Sequence, residues 1–473
     1  MSKLPLIEGV LKYVEENNLS LCMPGHKGTL GFLSTPEGRR LYEKFINCDI
    51  TEVDGVDNYH HPEGIIKDSQ ELLSKFYESK KSYYLVNGST SGNLAMIFSS
   101  FNEGDEVIVE RNCHRSIFNG IIMRKLKPIY IKNKINKEYN APLSIDMEHF
   151  LCLLRENKNA KGIILTYPNY YGVCADLELI VKKAKEYGMK VLVDSAHGAH
   201  FGMHSKLPES AVKLGADMVV MSSHKTLPSL TQTAYLHVGE EVDIGKVDFY
   251  VSAFTTTSPS YMLMCSMEYA RFYLEEYGKT DYEALIRRSE EYKGKIEAET
   301  IVRILPSEPT RYVLNLPKGY SGSKLFNYLK LKGITAEMCD NSNVVLIFSP
   351  FNDENNFKKL YKTLMECDFQ GLMEEYKEVL TINIPESKMM PFQVMEKQKS
   401  KVSLKEAEGK VSAVNIVPYP PGIPVIMMGE IIDKYCINMI EYYLSNDIAV
   451  LGIQRSNDDS SDNVYVDVIE DFN

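Results

Sequence analysis

From about residue 64 onward, short runs rich in Val, Ile and Leu alternate with amphipathic helical stretches, and this constrains the fold more than any other feature. The runs SYYLV, EVIVE, PIYI, GIILT, KVLVD and DMVVMS are short, apolar and rich in β-branched residues, as strands buried on both faces are. Helical patterns lie between them: near 65–77, after NGSTSGN, from Ser116, near 146–155 and near 208–214. In the stretch DLELIVKKAKEYG, Asp176 suits an N-cap and Gly188 a stop. The pattern predicts an α/β fold with a largely parallel sheet covered by helices on both sides. Ligands of such sheets bind beyond the carboxyl ends of the strands. The polar clusters NGSTS, ERNCHRS, TYPNYYG, DSAHGAH and SSHK each follow a strand, so five loops are expected to converge on one rim.

The flanking regions read differently. Residues 1–60 are rich in Gly, Pro, Asp and His and form an expected N-terminal arm with a short helix near 7–17. Residues 61–290 are the expected large domain, ending in helices near 258–277 and 282–298. Residues 291–473 read as a smaller α+β region, with strands RYVLNL and NVVLIFS each followed by a helix. Within it, 385–473 is a distinct final segment: polar, Lys/Glu-rich loop or exposed helix over 385–412, then VPYPPGIPVIMMGE, a helix near 430–445, the polar loop SNDDSSDN and a last strand VYVDVI.

The formal charge of −11 argues against non-specific nucleic-acid binding. No apolar run approaches the ~18 residues that span a bilayer. The opening residues carry acids where a signal peptide has its apolar core, so a cytoplasmic location is expected. The nine cysteines are scattered with no CxxC pair, as reduced thiols would be.

The rim clusters carry the chemistry. Lys225 follows strand DMVVMS; it reads either as a solvated loop residue or as a desolvated amine suited to a Schiff base. Asp194 ends strand KVLVD; it is either a turn residue or the carboxylate that keeps a pyridinium nitrogen protonated. NGSTSGN suits a phosphate at a helix N-terminus, though a simple capping turn has the same composition. His114 is either structural or a flat ring able to stack on a cofactor. Together these are the parts of a pyridoxal 5'-phosphate site. His197, His200 and His204 also stand at i, i+3 and i+7, but the glycines of HGAHFG make a poor helix, so a metal site is not expected.

The stretches MPGHKG (23–28), DITEVDGVDNYHHPEGII (49–66), NGSTSGN, RNCHRS, TYPNYYG, VDSAHGAHFG, SSHKTLPSLTQTA, TTSPSY (256–261) and YPPGIP (419–424) together resemble the Orn/Lys/Arg decarboxylase family, in its short Gram-positive form. The resemblance covers most of the chain, and SxHK with Gln232 downstream is its most specific part. It implies a pyridoxal-phosphate enzyme of fold type I (the aspartate-aminotransferase fold), with a mostly parallel seven-stranded sheet in the large domain. It implies decarboxylation of a basic amino acid, lysine or arginine ahead of ornithine, to a polyamine-pathway amine. By motif, Lys225 would form the Schiff base, Asp194 would hold the pyridinium, His114 would stack on the ring and Ala196 would pack on its other face. Ser89, Thr90, Ser91, Ser222 and His224 would line the phosphate or Schiff-base end, with His197 bordering the substrate side. Lys225 or His224 would return a proton to the α-carbon. Ser258 would reach the phosphate of a partner protomer, because sites in this family lie at a dimer interface; a homodimer at least is expected. Two positions depart from the family pattern: Ser195 stands where many relatives have an acid, and MMGE lacks a proline before its glycine. The alternative is an aminotransferase or other lyase on the same fold, which needs an arginine clamp for the substrate carboxylate; Arg311 is the candidate.

Overall fold

In the computed structural model, residues 3–376, 378, 383–419, 423–445, 448–455 and 464–470 are described. Most of SNDDSSDN's neighbourhood and part of YPPGIP fall outside them: the loop 456–463 and residues 420–422 are not described. A seven-stranded sheet runs in the order Lys81–Leu85, Ala234–Val238, Met218–Met221, Lys190–Asp194, Gly162–Thr166, Glu106–Glu110, Lys127–Ile131. Ala234–Val238 is antiparallel to both neighbours, and every other pairing is parallel.

The uniformly apolar strands follow from burial on both faces. Ile163, Leu165, Val191, Val193 and Val219 join one core with the helices Ile65–Tyr77 and Leu177–Glu186. The alternate residues Ile164, Leu192 and Val220 join a second core with Gly88–Ser100, Arg115–Met123 and Ile244–Ala253. Asp176 caps its helix by accepting from Leu179 N at 3.1 Å, and Gly188 follows the helix with φ +67°.

Two other sheets complete the chain. Arg303–Ile304, Arg311–Asn315, Asn343–Ile347 and Met338–Cys339 form a four-stranded antiparallel sheet. Lys399–Ser403, Val464–Ile469 and Ile453–Arg455 form a three-stranded one, backed by helix Lys434–Ser445. The N-terminal arm is more ordered than its composition suggests. After helix Pro5–Glu15, strand Leu19–Leu21 pairs in parallel with Ile334–Ala336, and a short helix forms over Pro36–Tyr42.

Two local expectations fail. Residues 208–214 form turns rather than a helix, because Pro208 and the following Gly215 leave room for little more than one turn. Within 385–412, the polar stretch holds helix Pro391–Met395 and edge strand Lys399–Ser403. There Ser400 and Val402 alternate with exposed lysines, a period of two that the high charge conceals.

Candidate active site

Lys225 sits in a single helical turn, Ser223–Thr226, immediately beyond strand Met218–Met221. The backbone of this turn is fixed from several sides. His224 Nδ1 donates to Thr233 O at 2.8 Å, and Ser223 Oγ donates to Thr233 Oγ1 at 2.7 Å. Gln232 adopts φ +83°, a region that side chains other than glycine seldom enter, and its amide donates to Val86 O at 2.7 Å. From the arm, Gly25 N donates to His224 O at 2.8 Å. A Cβ on Gly25 would lie 2.5 Å from Thr226 C, so only glycine fits there. MPGHKG thus packs directly on the lysine loop, and Lys27 anchors it by donating to Ile347 O at 2.9 Å. Burial pushes the Lys27 amine down to about 8.

Asp194 is 2% exposed. Strand alternation aims it to the same face as Leu192, toward helix Gly88–Ser100. There Asn93 Nδ2 donates to Asp194 Oδ2 at 2.8 Å, and Ala196 N donates to Oδ1 at 3.1 Å. The same Asn93 amide donates to Ser116 Oγ at 2.9 Å, and Ser116 Oγ lies 2.8 Å from His114 Nδ1. Ser116 N also donates to that nitrogen at 3.3 Å, which makes Nδ1 the acceptor and leaves the ring proton on Nε2. Asn93 therefore orients both the carboxylate and the imidazole. It lies inside NGSTSGN, but nothing in a phosphate-loop reading singles out its last residue.

A cavity of about 460 Å³ opens at this rim. Asp194, Lys225, His114, Ala196, His197, Ser222 and His224 all line it, with Ser89 and Thr90 from the first turn of Gly88–Ser100. Ser89 and Ser222 hydroxyls meet at 2.6 Å. Ser91 does not line the cavity; its hydroxyl donates to Gly88 O at 2.9 Å, closing its own turn. Ser258 is exposed and outside the cavity of its own chain. The lining also holds Tyr170 and Tyr171 from the rim loop TYPNYYG and Tyr419 from YPPGIP, none of them singled out as a site residue in the sequence, together with Met338 and Val417, which lie in no site motif. Burial lowers the affinity of Lys225 for its proton, against the pull of Asp194. Burial also keeps His224 neutral more readily than a free histidine. The amine, the strand-end carboxylate and the helix N-terminus with its hydroxyls, with His114 and Ala196 lining the same cavity, fit pyridoxal phosphate.

Val417 and Tyr419 reach the cavity because their segment is clamped to the large sheet. Arg111, just past strand Glu106–Glu110, forms a bidentate pair with Glu430 at 2.7 and 2.8 Å. Arg111 also donates to Pro424 O and Val425 O, and both side chains are almost fully buried. Removing one partner leaves an uncompensated buried charge. Glu430→Ala is thus expected to destabilise by about 3–5 kcal/mol. The measure is the denaturation midpoint, which Arg111→Met with Glu430→Leu should largely restore; an unchanged midpoint in the single variant contradicts this account.

The three clustered histidines diverge. His197 is buried between Lys225 and Arg311, with Nε2 3.1 Å from Lys225 Nζ and Nδ1 3.1 Å from Arg311 Nη2. His200 stacks on Tyr282 and shares the Thr310 and Glu308 network, while His204 pairs with Glu283 at 2.8 Å near the surface. Arg311 is also not a free clamp. It is 2% exposed, donates to Tyr170 O at 2.6 Å and faces Glu308 at 3.5 Å, and it does not line the cavity.

A seven-stranded sheet with one reversed strand, carrying a lysine turn and a buried aspartate at one rim, is the fold type I architecture of pyridoxal-phosphate enzymes. Within that class, the profile of the Orn/Lys/Arg decarboxylase major domain matches residues 4–312, and that of the C-terminal domain matches 373–469. The chain belongs to the Orn/Lys/Arg decarboxylase family. It is 31% identical to an arginine decarboxylase of Bacillus subtilis, over 96% of both chains. It is 33% identical to an uncharacterised Bacillus subtilis protein, over 95% of this chain and 96% of that one. The solved constitutive lysine decarboxylase of E. coli superposes with a TM-score of 0.78 at 19% identity, covering 98% of this chain and 82% of the other. Among the described residues, no helix is long and apolar enough to cross a membrane.

Proposed function

We propose that this chain is a pyridoxal-phosphate-dependent decarboxylase of a basic amino acid, with arginine the first substrate to test and lysine the second. The observation that carries the reading is the convergence of Lys225 and Asp194 on one cavity beside a phosphate-type helix N-terminus. Family membership supports the reaction, and the relatives named arginine decarboxylase at about 30% identity support the order of substrates.

When bound, pyridoxal phosphate supplies an electron-accepting ring that takes up the electron pair left behind by carbon dioxide. Asp194 keeps the ring nitrogen protonated, and Asn93 keeps Asp194 in place. Ser89, Thr90 and Ser222, with the first turn of Gly88–Ser100, bind the phosphate. His114 and Ala196, which both line the cavity, would hold the ring. Lys225 Nζ takes up the proton of the incoming amino group and returns it to the substrate's α-carbon. His224 is the poorer donor: its proton is committed to Thr233 O at Nδ1, and burial disfavours a second one. The substrate's distal cation meets the rings of Tyr170, Tyr171 and Tyr419, since Asp194 is the only carboxylate among the described lining residues.

The site is completed in a homodimer, with Ser258 facing the partner's phosphate site. Support comes from the exposure of Ser258 and from helix Pro5–Glu15, which buries none of its residues and leaves Leu6 77% exposed. The test is incubation of the cofactor-loaded protein with arginine, lysine and ornithine separately, followed by identification of the amine. Stoichiometric carbon dioxide and agmatine from arginine are expected. Keto acid formation without carbon dioxide would replace this reading with an aminotransferase.

A further inference from the structure

The contacts of His197 allow one assignment of protons. Arg311 Nη2 stands 3.1 Å from His197 Nδ1, and a guanidinium only donates, so Nδ1 is the acceptor. Burial, reinforced by the charge of Arg311, holds the His197 ring neutral. A neutral imidazole with a bare Nδ1 carries its proton on Nε2. That nitrogen stands 3.1 Å from Lys225 Nζ. An N–H aimed at the amine requires a lone pair on Nζ, which an ammonium lacks.

We infer that Arg311 is a positioning residue that fixes the tautomer of His197, so that His197 Nε2–H donates to Lys225 Nζ and holds the amine in its uncharged, nucleophilic form. Arg311 is itself held rigidly, by Tyr170 O at 2.6 Å and by Glu308. Its guanidinium acts through His197 and not on substrate, since it does not line the cavity. The groups that face Lys225 are Asp194, Glu337, Arg311, His114 and His197, with His224 adjacent in the chain. Those that face His197 are Lys225, Arg311, His224, His200 and the Tyr170 ring. Burial, Arg311 and the His197 N–H oppose a proton on Lys225, whereas Asp194 and Glu337 pull one toward it. Loss of the Arg311–His197 pair removes part of that opposition, so Lys225 holds its proton to higher pH.

The inference rests on Lys225 being the cofactor lysine, and its test separates the two ideas. Cofactor-free protein is mixed with pyridoxal 5'-phosphate over a pH series, and the rate at which the coloured adduct forms is followed. Wild type should react down to neutral pH. His197→Phe and Arg311→Met should shift the midpoint upward by about one unit, equivalent to about tenfold slower capture at pH 7. Arg311→Lys retains a donor toward Nδ1 and should stay within about threefold of wild type by the same scale. Nitrogen NMR of selectively labelled histidine in the wild-type protein should show His197 protonated at Nε2, a readout independent of whether the variants fold. Variants that keep the wild-type midpoint, or a His197 protonated at Nδ1, would overturn the inference. A wild-type protein that forms no adduct, or forms it equally after Lys225→Ala, would instead refute the cofactor role of Lys225.

Discussion

Lys225→Ala is expected to purify colourless from cells that yield a yellow wild-type protein, and to lose about four orders of magnitude in turnover. A single proton-transferring side chain contributes about 10²–10⁴-fold, and here the same amine also tethers the cofactor, so the loss belongs at the upper end. The fold should survive. Among the described residues Lys225 Nζ hydrogen-bonds only His197, whereas the turn that carries it is held by Thr233, Gln232 and Gly25 through backbone and neighbouring side chains. Truncation therefore removes chemistry while leaving the loop in place. A soluble variant with wild-type circular dichroism, no visible band and negligible amine production is the expected result. Retained decarboxylation in that variant would eliminate the mechanism.

The parts of this site that were legible in the sequence are those that sit at strand ends. Asp194 and Lys225 each follow an unmistakable apolar run, and the topology of a parallel sheet carries such residues to one rim whatever the details of packing. Asn93 was harder to see. Its importance comes from facing Asp194 across 101 positions of sequence, and no local pattern encodes that pairing. Arg311 illustrates the same limit from the other side. As an arginine near a small-domain strand it resembled a carboxylate clamp, yet the structure turns it inward onto Tyr170, Glu308 and His197. Whether an arginine faces a cavity or a histidine is decided by tertiary packing, which composition does not report.

The arm and the C-terminal segment show a second kind of concealment. Gly25 reads as an ordinary loop glycine until its backbone is found against Thr226, where a methyl group would collide. Nothing local to MMGE shows that the Glu430 carboxylate is paired with Arg111 in the interior. Both contacts join segments that are far apart in sequence, and both fix the walls of one cavity. The regular elements were easier to read because their periodicity is local: Asp176 and Gly188 bound their helix where capping chemistry predicts. The failure at 208–214 fits this view, since the six residues between Pro208 and Gly215 give periodicity too little length to be distinctive.

Asp194→Asn is the sharper test of the electronic role, because it changes charge with almost no change in shape. In the wild type, Oδ2 accepts from Asn93 and Oδ1 accepts from Ala196 N. An amide at 194 turns one of these acceptors into a donor, so one contact becomes N–H against N–H. The cost of that buried mismatch is about 1–3 kcal/mol, which a chain with two extensive cores tolerates without unfolding. Turnover should suffer far more. Loss of a preorganised charge in a dry site costs about 10²–10³-fold, and the acceptor ring also loses the proton that makes it an electron sink. The expected variant is folded, still binds pyridoxal phosphate through Lys225 and the phosphate loop, and is slower by at least that factor. A cofactor analogue with a permanently charged, N-methylated ring should recover part of the loss, because its positive charge no longer depends on a neighbouring carboxylate. Near-normal turnover of Asp194→Asn with the natural cofactor would mean that another group holds the ring nitrogen.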